Sequence, residues 1–347
     1  MSAPSRSRDP AMDALRVLAI VMVVVIHCAS YGLSAPMGSF RWWSALSWAS
    51  LVRPAVPLFF LCSGALMLGR DIPLRRLYGH NILRILLALL FWAFFYRVYG
   101  LAVDGGLTPR GLWEAVKHTL LFHHEFHLYF LHILLLVYVC LPVTRAFVRA
   151  ASRREAEYAL AVWAVCGVLF PLLRYFWPFS LAGVVTAWWL LPAGWSSIGC
   201  GVLGWYLLEY GGGIPRRYFA LAFALGLGLT LGGGAAASIR AGALSEIFWQ
   251  GWSPGPMLMA AGLFGLLALR GAGWKPRLRR ALARGAKASF CVYLVHVFFL
   301  YALRDAGITA QAIPALLIPA VTALILLLGG LVYAVLCRIP IVNRYLI

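Results

Sequence analysis

Ten apolar stretches, most of them close to the length of a membrane-crossing helix, occupy the greater part of this 347-residue chain. A helix rises 1.5 Å per residue, so about 20 mostly apolar residues cross the hydrocarbon layer. On that criterion spans are predicted near Ala14–Ser30, Ala45–Leu68, Ile82–Leu101, Leu128–Val148 and Tyr158–Phe176. Five more follow near Pro192–Tyr210, Tyr218–Ala237, Gly255–Leu269, Ala288–Leu303 and Pro314–Cys337, with Phe179–Trp189 a candidate half-span. The chain is 63% hydrophobic and 12% charged, with a mean hydropathy of +0.85. A water-soluble fold has nowhere to bury so much apolar surface, and disorder requires the opposite composition. The predicted fold is all-α: a polytopic integral membrane protein of about ten transmembrane helices, forming a single domain over residues 1–347.

The formal charge of +19 reads as loop charge rather than as a nucleic-acid surface, because cytoplasmic loops are enriched in Lys and Arg. With the N-terminus placed inside, 21 of the 30 basic residues fall at cytoplasmic ends or loops. Six fall outside (Arg41, Arg110, Lys117, Arg174, Arg240 and Arg304), and Arg53, Arg84 and Arg97 lie within spans. This asymmetry predicts an even number of helices with both termini cytoplasmic. Residues 1–12 read as a cytoplasmic tail that leads into the first span rather than as a cleavable signal. Seven scattered cysteines without a CxxC pair read as small buried hydrophobes. No GxSxG elbow, Walker loop, GxGxxG or HExxH motif occurs.

Ionisable groups in a membrane are costly and usually face the protein interior, so they are the natural functional candidates. The first span, DALRVLAIVMVVVIHC, contains Asp13, Arg16 and His27. Eleven residues turn a helix through about 1100°, three turns and roughly 20°, so Arg16 and His27 share one face about 16 Å apart. Asp13 lies one turn before Arg16 and is placed to pair with it. Taken alone, His27 reads equally as a buried polar residue bonded to a neighbouring helix, and Arg16 as an interfacial anchor. In RPAVPLFFLCSG, from Arg53 to Gly64, the prolines break the backbone ladder and Ser63-Gly64 permits close helix approach. Arg75, Arg76, His80 and Arg84 gather at the start of the third span, where a guanidinium can meet a phosphate in two-pronged fashion.

Before the fourth span, FHHEFHLYFLH reads as a polar, aromatic-lined vestibule for a hydrophilic substrate, with His127 and Tyr129 on the acceptor side. Its spacing does not match a helical zinc site, and no metal is expected. In SFCVYLVH, Tyr293 and His296 stand three apart on adjacent helix faces, where structural hydrogen bonding is the default. The basic stretch from Arg270 to Lys287 reads as topological and lipid-facing.

Together these segments resemble the acyltransferase-3 family of membrane acyltransferases. The opening DALRVLAIVMVVVIHC resembles its first-helix signature, VPLFFLCSGALML (Val56–Leu68) its second-helix pattern, and HLYFLHILLLVY (His127–Tyr138) its HLWFL segment. GVLGWYLLEY (Gly201–Tyr210) is similar to a glycine-rich helix seen there, and SFCVYLVH (Ser289–His296) to a late S-x-G-I-Y-L-x-H segment. Two positions depart from the pattern. Many members carry Arg-x-x-Arg entering the third helix where this chain has Asn81 and Arg84, and Cys291 stands where glycine is usual.

The resemblance implies transfer of an acyl group, commonly acetyl from acetyl-CoA, to a hydroxyl of an envelope glycan or lipid-linked sugar. It implies residence in the bacterial inner membrane, with acyl-CoA, glycan and membrane lipids as partners and no nucleic acid. On this reading Arg16, Arg75, Arg76, His80 and Arg84 would meet the phosphates of coenzyme A at the inner mouth. His27 would be the general base, with Arg16 and its neighbour Asp13 completing the first-helix set. Arg53 and Ser63, with Tyr293 and His296, are candidates for oxyanion stabilisation or for structural roles. A transporter or flippase, or a module that binds a ligand without chemistry, would also place Arg and His in buried helices. Dependence on an acyl donor separates these readings.

Overall fold

The computed structural model describes residues 9–269 and 273–347. Arg6, Arg8 and Arg270, which enter the charge asymmetry, lie outside the described residues. Among the described residues the fold is all-helical, without strands. In chain order the helices are α1 (Pro10–Gly32), α2 (Phe40–Met67), α3 (Leu74–Val103), α4 (Pro109–Leu120), α5 (Phe126–Ala150) and α6 (Arg153–Leu173). They continue as α7 (Gly183–Trp189), α8 (Ala193–Tyr210), α9 (Arg216–Ala241), α10 (Pro254–Ala268), α11 (Pro276–Asp305), α12 (Pro314–Leu336) and α13 (Pro340–Tyr345). Eight of these, α1, α2, α3, α5, α6, α9, α11 and α12, are long and apolar enough to cross a membrane.

The remaining two expected spans are also helices. α8 has 18 residues and α10 only 15. The candidate half-span resolves into a single turn at Phe179–Leu181 followed by the seven residues of α7, a rise of about 10 Å that cannot cross a bilayer. α4 is a strongly two-faced helix that the hydropathy reading passed over, since its polar residues dilute its average.

Local sequence sets the helix boundaries. The Asp9 side chain accepts a hydrogen bond from the Ala11 amide (2.9 Å), and Pro10 occupies the first helical position of α1. Ser152 and Glu155 form a reciprocal capping box at the start of α6. In α2 the helix breaks at Val52–Pro54 and resumes at Ala55, as a proline that lacks an amide hydrogen requires.

α1 lies at the centre, packed against α2, α10, α11 and α12, while α8 lies against the second half of α2. The contact between α2 and α8 is backbone on backbone. A Cβ on Gly64 would land on the Gly201 carbonyl, and one on Gly204 on the Leu61 carbonyl. In lipid, where apolar surface gives no drive for helices to associate, such close packing supplies the attraction. Gly204→Leu is expected to destabilise the protein by about 1–3 kcal/mol. It should therefore lower the thermal unfolding midpoint in detergent, whereas Gly228→Leu, which meets open space, should not.

Candidate active site

Three imidazoles converge where α1, α5 and α11 meet. The ring centres of His27 and His296 are 5.1 Å apart, and those of His127 and His296 are 5.3 Å apart. His296 is 0% exposed and His127 2%, while His27 is half-buried. His27 also meets the edge of Phe126 at 5.2 Å. The shared-face geometry therefore turns His27 into the bundle rather than toward lipid.

Two tyrosines hold this cluster. The Tyr293 hydroxyl donates to the main-chain carbonyl of His127, tying α11 to the first turn of α5. The Tyr96 hydroxyl donates to the Leu294 carbonyl (2.8 Å) and accepts from the Phe298 amide (3.1 Å), while its ring packs edge-on to His127 at 5.0 Å. The His296 Nδ1 lies 2.6 Å from the Tyr293 carbonyl. A carbonyl only accepts, so this nitrogen carries the hydrogen and Nε2 carries the lone pair. Among the described residues His296 Nε2 and both ring nitrogens of His127 have no hydrogen-bond partner. Buried polar atoms of that kind call for an explanation, and a substrate group or water is the usual one.

On one side of the cluster lies a cavity of about 610 Å³, well within the size range of small-molecule sites. Its mouth is basic, lined by Arg16, Arg70, Arg76, His80 and Arg84 with Asp71 and Asn81. Its inner walls include Phe59, Ser63, Phe130, Tyr138 and Tyr293. The first turns of α3 widen into a π-helix at Leu77–Ile82. The wider turn lets the adjacent residues His80 and Asn81 both line the cavity beside Arg76 and Arg84, and such bulges recur at functional sites. Arg84 donates to the Ile347 carbonyl and lies over the Phe290 ring at 5.3 Å.

The rim is fixed by Arg145 of α5, which is buried and donates to the carbonyls of Arg70 (2.9 Å) and Ile72 (3.0 Å). The charge asymmetry counts Arg145 among the basic residues at cytoplasmic ends or loops. Only its position inside a long apolar helix, three residues after Pro142, hinted at a structural task.

The candidate residues thus divide by place. Arg16, Arg76, His80, Arg84, Ser63 and Tyr293 share the cavity. Arg75 is exposed and does not line it. Asp13 is buried in the first turn of α1. The Ser63 hydroxyl donates to the Phe59 carbonyl at 2.8 Å. His27 does not line the cavity. Tyr293 does, and its ring also neighbours His127 (5.9 Å) and His296 (6.0 Å). Tyr293 thus stands between the cavity and the two histidines its ring neighbours.

Arg53 lies within electrostatic range of His27, Tyr129 and Glu246, with its guanidinium over the Trp249 indole at 4.3 Å. The sequence reading missed Tyr96 and Trp249, which carry no charge to mark them in an apolar helix or loop. Among the described residues no group of three or more His, Cys, Asp or Glu side chains is placed to hold a metal ion.

The fold and site define a helical membrane protein with a basic cavity beside a cluster of buried histidines. The family model described as an acyltransferase domain, of the acyltransferase-3 family, matches residues 9–338, and the chain belongs to that family. Comparison with curated proteins and with solved structures finds no match.

Arg145→Met should free the Arg70–Ile72 rim. The loss of two hydrogen bonds from a charged donor predicts destabilisation of about 3–6 kcal/mol. Faster amide hydrogen exchange confined to that segment and its neighbours would show it.

Proposed function

We propose that this membrane acyltransferase moves acetyl from acetyl-CoA to a hydroxyl of a cell-envelope glycan or lipid-linked sugar, in the bacterial inner membrane. The observation that carries this reading is a basic cavity whose wall residue Tyr293 also neighbours two buried histidines. Coenzyme A is a polyanion with a thin uncharged arm. Its phosphates match the guanidiniums of Arg16, Arg76 and Arg84, and His80 beside them can donate a hydrogen bond. The arm would run inward along α1, past Tyr293, bringing the thioester to His27.

His27 then removes the proton from the acceptor hydroxyl as the oxygen attacks the thioester carbonyl. The tetrahedral oxyanion collapses and the C–S bond breaks. The departing thiolate takes the proton back from His27, so the imidazole ends neutral and free coenzyme A leaves. Arg53 lies within electrostatic range of His27 and Tyr129. It suits either the developing oxyanion or an anionic group on the acceptor. The segments Arg53–Phe60, His127–Phe130 and Ser253–Met257 resemble the O-acetyltransferase of enterobacterial common antigen, which makes an envelope glycan the first acceptor to try.

His27→Ala is expected to lower acetyl transfer by at least about 10²-fold while leaving the purified protein folded. Near wild-type turnover of acetyl-CoA with acceptor would overturn the base assignment. Arg84→Ala should weaken coenzyme A binding by about tenfold, the equivalent of one charge-assisted contact. A smaller thermal shift at fixed coenzyme A concentration would report it, and an unchanged shift would remove Arg84 from the donor site.

A further inference from the structure

A catalytic imidazole needs a second group to fix which ring nitrogen is free to take the proton, the task a buried carboxylate performs in serine-type triads. Asp13 cannot do this, because fourteen residues of helix separate it from His27 by about 21 Å. Arg53 has only donors. The two rings packed against His27 are Phe126 and His296, and only the second carries an acceptor.

The state of that acceptor is fixed by the backbone. Because the Tyr293 carbonyl takes the hydrogen of His296 Nδ1, Nε2 presents a lone pair, and it is buried without a partner. Two imidazoles joined in line by one N–H···N bond of about 3 Å have ring centres roughly 5 Å apart, and His27 and His296 stand at 5.1 Å.

We propose that His296 is a positioning residue: its Nε2 accepts a hydrogen bond from one ring nitrogen of His27 and so leaves the other nitrogen turned to the acceptor hydroxyl as the base. This rests on the reading of His27 as base. In the unliganded arrangement Nε2 is unpartnered, so the bond forms when the His27 ring turns on its Cβ–Cγ bond as substrates bind. That torsion is soft, and catalytic hydrogen bonds commonly tighten only in the substrate complex. A neutral histidine suits this place better than a carboxylate, since it orients the base without an extra charge in a medium that solvates charge poorly. The Tyr293 hydroxyl bond to His127 and the Tyr96 bond to Leu294 hold the α11 turn that aims it.

The test compares His296→Leu, His296→Gln and His296→Asn in the purified full-length protein, with acetyl-CoA and an envelope-glycan acceptor. Thermal unfolding is recorded for each variant. His296→Leu is expected to lower kcat by on the order of 10²-fold with the KM for acetyl-CoA unchanged. Gln, whose amide oxygen reaches the position of Nε2, should recover activity to within roughly tenfold of wild type. Asn, which reaches only the position of Nδ1, should recover little. If the Leu variant does not fold, the Gln and Asn pair decides. Equal activity of Gln and Asn, or a folded Leu variant with wild-type kcat, overturns the proposal. Because His27→Ala is measured alongside, an essential His27 with a dispensable His296 defeats this inference alone, whereas an active His27→Ala defeats the base assignment itself.

Discussion

The hydrogen bond from the Tyr293 hydroxyl to the His127 carbonyl is the contact on which the site's geometry rests. It joins the middle of α11 to the opening turn of α5 at the depth where both elements meet α1. Within a bilayer a hydroxyl without a partner is expensive and there is no water to satisfy it, so the bond fixes both helices in register. His296 follows Tyr293 by three residues and His127 supplies the accepting carbonyl, so both imidazoles are placed by the same contact. The ring of Tyr293 also forms the inner wall of the basic cavity. One side chain therefore sets the spacing of the histidines and the boundary between them and the cavity.

Most of the architecture was legible because lipid imposes a simple length rule. Apolar segments located the helices, and of the two prolines expected to break α2, Pro54 sits at the break while Pro57 lies within the first turn of the resumed helix. Ser63-Gly64 pointed to a close helix approach, which Gly64 makes against Gly201. Hydropathy was least informative where a helix is short or two-faced. α4 mixes polar with apolar residues, so its average composition does not announce it, and α10, expected as a span near Gly255–Leu269, is a helix of only 15 residues.

The site was legible along one helix and opaque between helices. Helical periodicity placed Arg16 and His27 on one face from their spacing alone, and the structure has Arg16 on the cavity and His27 in the histidine cluster. Periodicity cannot say which helix faces which, so the meeting of His27 with His296, 269 positions later, was beyond its reach. Nor could it separate Arg76, which lines the cavity, from Arg75, which does not: the π-helical turn that follows sets that register, and no residue in Leu77–Ile82 signals it. Tyr96 passed unseen because one more aromatic in FWAFFYRVYG carries no distinguishing mark until its hydroxyl is found bonded across the bundle.

The brevity of α10 bears on how the protein is made. Its fifteen residues run about 22 Å, short of the roughly 30 Å hydrocarbon slab, so as an isolated segment it is poorly suited to stay in a bilayer. The 26-residue α9 lies against it along an interface where Gly226, Gly255 and Gly262 bring the two backbones together. The two helices are thus suited to leave the translocation machinery as a preformed hairpin. Damage to their seam would then register as failed biogenesis rather than as slow chemistry.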